Sequence, residues 1–120
     1  MTSRWGAPLV LARGDDYLIA SKPAGLATTG RTLEDPDSFQ SELMLALRRR
    51  KVWAVHQLDK GTSGACLFAL KKAAVSQWAE RLKRGRKLYL ALCDGRMVGT
   101  HEVQARIGRV VRADGRTQSA

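Results

Sequence analysis

Asp59 is the residue of this sequence best placed to do chemistry. It stands in the stretch Val55-His56-Gln57-Leu58-Asp59-Lys60-Gly61-Thr62-Ser63-Gly64, which runs into an apolar segment, Ala65 to Leu70. Apolar residues also precede it, at Val52, Trp53, Ala54 and Val55. A carboxylate between two buried strands costs free energy unless it is paired or used. The expectation is therefore an Asp59 drawn into a central cleft, as the first candidate for chemistry. The structural alternative is an Asp that caps the Thr62/Ser63 turn, since Asp is common in such loops. His56 lies three residues earlier and can orient the loop. Metal ligation is not expected, because the only other histidine, His101, is isolated and no cysteine cluster exists. The two cysteines, Cys66 and Cys93, each sit inside an apolar segment and read as buried free thiols.

The charge balance names a partner. The chain has 120 residues and a formal net charge of +10, from 21 Lys and Arg against 11 Asp and Glu. Residues 1–60 carry +2 of this and residues 61–120 carry +8. A basic half points to a polyanion, most simply nucleic acid, with a generic solubilising surface as the alternative. Two clusters stand out. Arg48-Arg49-Arg50-Lys51 ends a first helix, and Arg81, Lys83, Arg84, Arg86 and Lys87 surround the end of a second. Both can complement a helix C-terminal dipole and touch phosphate. No apolar run approaches the ~20 residues that span a bilayer. The N-terminus lacks the apolar stretch of a signal peptide, so the expected compartment is the cytoplasm and no membrane partner is expected.

Strands and helices alternate along the chain. Pro8 to Ala12 and Tyr17 to Ala20 read as short strands around the Gly14-Asp15-Asp16 turn, and Lys22-Pro23-Ala24-Gly25 punctuates the second. Asp37 or Ser38 can cap a helix running to about Arg50, with Phe39, Leu43, Met44 and Leu47 on one face. Val52 to Val55 and Ala65 to Leu70 are strands on either side of the Asp59 loop. Lys72 to about Arg84 is a second helix that turns Ala74, Val75, Trp78 and Leu82 inward, with Gly85 as its cap. Lys87 to Cys93 and residues 101 to 111 alternate as strands, and residues 113 to 120 are polar and turn-like. The length suits one small domain. The class is α/β (α+β).

Three segments form a pattern: Lys22-Pro23-Ala24-Gly25, then His56-Gln57-Leu58-Asp59 with Thr62-Ser63-Gly64, then Lys87-Leu88-Tyr89-Leu90-Ala91 with Gly95. Their order and spacing resemble the pseudouridine synthases of the RluA and RsuA types, over nearly the whole chain. The resemblance implies a mixed, mainly antiparallel sheet flanked by helices, an RNA substrate, and neither metal nor organic cofactor. It implies isomerisation of uridine to pseudouridine, by cutting the N1–C1′ bond and rejoining C1′ to C5. Asp59 would be the catalytic carboxylate, suited to an oxocarbenium-like C1′. Gln57, Tyr89 and His56 would bind substrate. Tyr89 would stack near the target base. Gln57 replaces the family's usual arginine beside the catalytic Asp, which puts substrate affinity or identity in question. Arg48, Arg49, Arg50, Lys83, Arg84, Arg86 and Lys87 are the candidate RNA contacts.

The sequence departs from the family pattern at its C-terminal end. The family continues into further strands and an arginine segment that pairs with the catalytic Asp. Gly115-Arg116-Thr117-Gln118 resembles that segment only superficially, because the gap from Tyr89 is too short. A shortened chain, a minimal variant in which Arg116 takes the role, and assembly with another chain all stay open. The organisation expected is a single, partial catalytic domain over residues 1–120, with no separate N-terminal RNA-binding domain and a sheet edge free for an oligomer or partner chain. Two other functions remain: an RNA-binding protein that kept the fold without catalysis, and an interaction module pairing through that edge.

Overall fold

The computed structural model describes residues 5–33, 35–96, 98–100, 102, 109–111 and 117–119. The chain divides into two compact units, Met1–Leu88 and Tyr89–Ala120. No helix among the described residues is long and apolar enough to cross a membrane.

The first unit is built on a four-stranded sheet in the order β1-β2-β4-β3, from β1 (Leu9–Arg13), β2 (Tyr17–Lys22), β3 (Trp53–Ala54) and β4 (Gly64–Ala69). Every pairing in it is antiparallel. Strand β2 alternates strictly, burying Leu18, Ala20 and Lys22. Across from them on β4 stand Phe68, Cys66 and Gly64. This period of two sends one side-chain set into the core. Helix α1 (Phe39–Ala46) covers that face with Phe39 and Leu43, and Phe39 meets Phe68 edge-on at 5.9 Å. Helix α2 (Val75–Arg84), entered through a 3-10 turn at Lys72–Ala74, lies on the opposite face. There Trp78 packs on Tyr17 at 4.9 Å between ring centroids, and the Arg81 guanidinium sits 4.5 Å from the Trp78 ring.

Helix α1 starts where Ser38 accepts a hydrogen bond from the Ser41 N–H. It ends at Ala46, short of the expected Arg50. Arg48 and Arg49 have φ of 57° and 67°, and the Arg49 N–H turns back to the Met44 carbonyl at 2.6 Å, closing the helix early. The first basic cluster therefore sits on a left-handed turn beyond the helix, and no basic residue lies in the helix's last turn.

The second unit contains a two-stranded antiparallel ribbon, β5 (Arg109–Val111) with β6 (Thr117–Ser119). The polar segment expected to be turn-like thus includes a strand. The expected strand Lys87 to Cys93 does not form: residues 86–93 carry neither helix nor strand. Leu90 and Leu92 are fully exposed there, so neither backbone pairing nor apolar packing offsets the entropy of extending the segment. Cys93 is exposed as well, contrary to the buried thiol expected, whereas Cys66 is buried. Glu102 is described and lies in neither helix nor strand; the rest of the expected strand over 101 to 111, and Arg116, lie outside the described residues.

Candidate active site

The Asp59 loop connects β3 to β4, so both of its ends are fixed in one hairpin. Its interior is held from the side by the segment that follows β2. The Thr28 hydroxyl accepts from the Leu58 N–H at 2.9 Å and donates to the Leu58 carbonyl at 2.6 Å, so one side chain satisfies both polar groups of the residue before Asp59. The carbonyl after Asp59, that of Lys60, accepts from the Gly25 N–H at 2.6 Å and from the Lys22 ammonium at 3.3 Å. Asp59's own carbonyl accepts from the Thr62 N–H at 2.9 Å. The backbone is thus tied on both sides of the candidate carboxylate. Gly25 is needed in this arrangement, since its φ of +92° disfavours any side chain.

Asp59 itself is exposed, which corrects the buried position expected from its apolar flanks. The physical reason is the neighbouring pattern: Leu58 turns inward as core, so the next side chain along the loop points outward. Among the described residues the carboxylate accepts no protein hydrogen bond. The nearby Lys22 ammonium feels its charge. Burial lowers the Lys22 pKa from its ordinary value, while Cys66 and Asp59 raise it. Burial pushes the Cys66 thiol up to about 11, with Lys22 and Thr28 working against it, so this cysteine is a neutral core residue.

Gln57 is exposed beside Asp59, and its side-chain oxygen accepts from the Thr29 hydroxyl at 3.1 Å. His56 is half-buried. Its Nε2 accepts from the Leu67 N–H at 3.0 Å, taking the place of a backbone acceptor where β3 stops pairing with β4. The neutral ring then carries its hydrogen on Nδ1, which is buried and has no hydrogen-bond partner among the described residues. Burial, and secondarily Lys87, lower the His56 pKa. The unfolded chain therefore binds a proton more readily than the folded one. This stabilising contribution is present above the ordinary histidine pKa and is lost as pH falls through the folded value. We expect the melting temperature to drop on acidification from pH 7 to 5, and to drop less in His56→Gln, whose amide oxygen can still accept from Leu67. Equal pH dependence in a thermal melt of the two proteins would contradict this role.

Two of the clefts formed by the described residues lie in the first unit, and Asp59 lines neither of these. One of about 160 Å³ lies between Trp5, Pro23 and Phe39. The larger, of about 500 Å³, is lined by Val55, His56, Ala79, Leu82, Lys83, Gly85 and Lys87. It brings His56 together with two of the expected RNA contacts. Arg84 is exposed and pairs loosely with Glu80 at 3.8 Å, and Arg86 is exposed. Arg48, Arg49 and Arg50 are exposed at the end of α1. Tyr89 belongs to the second unit, where it is 63% exposed and outside any strand. No group of three His, Cys, Asp or Glu comes together among the described residues.

A sequence profile of the RNA pseudouridylate synthase family matches residues 16–119. The chain belongs to that family. The match takes in β2, the Asp59 loop and both helices, so the elements that hold Asp59 are those of a pseudouridylate synthase domain. A tRNA pseudouridine synthase C of Haemophilus ducreyi is 28% identical over 97 residues, covering 78% of this chain and 40% of that protein. A ribosomal large subunit pseudouridine synthase C of Yersinia pestis is 35% identical over 91 residues, covering 74% and 28%. Among solved structures, human RNA Pseudouridylate Synthase Domain Containing 1 shares 27% identity with a TM-score of 0.48, over 64% of this chain and 28% of that one. The chain spans 28% to 40% of the length of these curated relatives.

Sequence reasoning singled out Asp59, Gln57 and His56, and the fold brings them onto one loop. It missed Thr28 and Thr29, which bond Leu58 and Gln57 from 30 and 28 residues away. No local signal marks them, because a threonine in a polar loop is unremarkable until its partner is known. Lys22 was visible only as part of a turn motif.

Proposed function

We propose that this chain is an RNA pseudouridine synthase that isomerises uridine to pseudouridine, with Asp59 as its catalytic carboxylate. The observation that carries this reading is the pinned backbone on both sides of an exposed Asp59 whose carboxylate accepts no hydrogen bond among the described residues, in a chain of the pseudouridylate synthase family. A reacting group must be held still yet left free to meet its substrate. Cleavage of the N1–C1′ bond places positive charge on the ribose, and a carboxylate at C1′ stabilises or traps it. The target base must leave its stack to reach this surface, at a cost of a few kcal/mol. Gln57 meets the RNA beside the target. Structured ribosomal or transfer RNA is the substrate class, in keeping with the names of the relatives, and residues 1–120 are part of a single catalytic domain acting in the cytoplasm. RNA incubated with the protein and then treated with a pseudouridine-specific chemical label should show label at defined uridines.

A second reading is RNA binding without catalysis, favoured by the position of Asp59 outside both clefts. The same labelling separates the two, since binding without label supports it.

The basic residues in the last turn of α2 and just beyond it position RNA through phosphate in either case. Replacing Lys83, Arg84 and Arg86 together by Gln should weaken RNA binding and flatten the slope of log affinity against log salt by about one to three. A salt titration with unchanged slope would remove this cluster from the interface.

A further inference from the structure

Helix α2 buries none of its residues completely. Ala79 and Leu82, on its apolar side, are only half-buried, because with Val55 they face the open cleft of about 500 Å³. Apolar surface left open to water in a concave site is covered by whatever fills it. The rest of the lining is cationic. Lys83 and Lys87 border the cleft, and among the described residues no acidic side chain does. His56 completes the wall. Its Nε2 is committed to the Leu67 N–H, and its Nδ1 has no hydrogen-bond partner among the described residues. A phosphate group alone would leave the apolar floor uncovered, and an apolar ligand would leave two ammonium groups unmatched. A nucleotide answers both, and the volume falls in the range of roughly 300–1,000 Å³ that encloses small organic ligands. The cleft is also close to Asp59 along the chain. Only three residues separate His56 from it, a span of at most about 11 Å.

We propose that this cleft is a subsite for one unstacked nucleotide of the RNA strand other than the target uridine, with its base against Val55, Ala79 and Leu82 and its phosphate between Lys83 and Lys87. The inference rests on the reading of RNA as the substrate, and not on the role of Asp59. Every base has a flat face that can cover an apolar floor, so the subsite selects single-stranded RNA rather than a sequence. A strand held here through phosphate enters the Asp59 surface from a fixed side. His56 reports the occupant. Burial and Lys87 disfavour its charged form, and an anion beside Lys87 offsets the second of these effects.

Occupancy is read in the unmodified full chain by nuclear magnetic resonance, with the His56 ring signal identified by its loss in His56→Gln. Uridine 5′-monophosphate should shift the His56 ring and Leu82 methyl signals together and raise the His56 pKa. Inorganic phosphate and uridine, each one half of that ligand, should bind at least about tenfold more weakly. Silence of both signals would overturn the proposal, and so would equal binding of phosphate alone. An acidic peptide that shifts these signals where the nucleotide does not would assign the cleft to a protein partner and overturn it as well. A single-stranded trinucleotide of uridine should bind at least about tenfold more tightly than the mononucleotide, since its further phosphates reach the neighbouring basic residues. Equal affinity would assign the cleft to a free nucleotide and refute an RNA subsite. Ala79→Leu fills the cleft, and with the Leu18 and Phe68 amides still protected from exchange it should weaken the nucleotide about tenfold. If that variant does not stay folded, Lys83→Gln with Lys87→Gln, both exposed positions, carries the same comparison. Unchanged affinity in the folded variant would refute the site. None of these measurements needs turnover. A protein that binds the nucleotide and forms no pseudouridine keeps the subsite and loses the reaction, and one that forms pseudouridine with the cleft empty does the reverse.

Discussion

Asp59→Asn should abolish the proposed pseudouridine formation while leaving the protein folded. The two side chains have nearly the same shape, and the native carboxylate accepts no protein hydrogen bond among the described residues. The stability change should therefore lie within about 0.5 kcal/mol, as for exposed positions away from special contacts. The neutral amide cannot stabilise positive charge at C1′, attack it, or accept a proton. Loss of a positioned acid–base or nucleophilic group costs on the order of a thousandfold or more in rate. Matched thermal melts and pseudouridine-specific labelling of the two proteins check both halves of the expectation. Labelling within a few-fold of the wild type would end the assignment of Asp59 and favour the structural role as a cap of the following turn.

Thr28→Val should have the largest effect on stability. Valine matches threonine in shape but removes the hydroxyl that serves both the N–H and the carbonyl of buried Leu58. Leaving a buried polar group unpaired costs about 1–3 kcal/mol, so two such groups predict a loss of about 2–5 kcal/mol. That is a large share of the 5–15 kcal/mol that typically holds a domain folded. Thr28→Ser keeps the hydroxyl and should retain most of the stability. Denaturant unfolding of the three proteins measures the difference. A Thr28→Val midpoint equal to that of the wild type would mean that Leu58 finds other partners and that the grip on the loop is not made here.

The two substitutions separate chemistry from scaffold at neighbouring positions. Asp59 faces solvent and carries the proposed reaction, whereas Leu58 faces the core and carries the fold. Their opposite exposure follows from consecutive side chains of an extended loop pointing to opposite sides. The flanking apolar runs therefore misled the expectation of a buried carboxylate: they show that the loop's ends are buried, but not which way each side chain points between them.

The edges of the elements were misread for similar reasons. Helix α1 carries its apolar face to Leu47, and the sequence pattern alone extends it into the arginines. Its end is decided by the left-handed backbone at Arg48 and Arg49, a conformation that arginine does not advertise. Lys87 to Cys93 alternates as a strand should, yet alternation only makes a segment competent to pair. No strand pairs with it among the described residues, and its leucines stay exposed.

Local chemistry was enough to establish the kind of protein this is. The Lys-Pro-Ala-Gly turn, the Asp59 loop and the alternation of β2 and β4 act over short spans, so family, fold class and principal candidate residue are all written in consecutive residues. The tertiary structure alone decided how the loop is held. A threonine thirty residues upstream, and a lysine 38 residues from its farthest acceptor, meet the loop only after the chain has folded back in register. Hydrogen bonds form between atoms about 3 Å apart in space, whatever their distance along the chain.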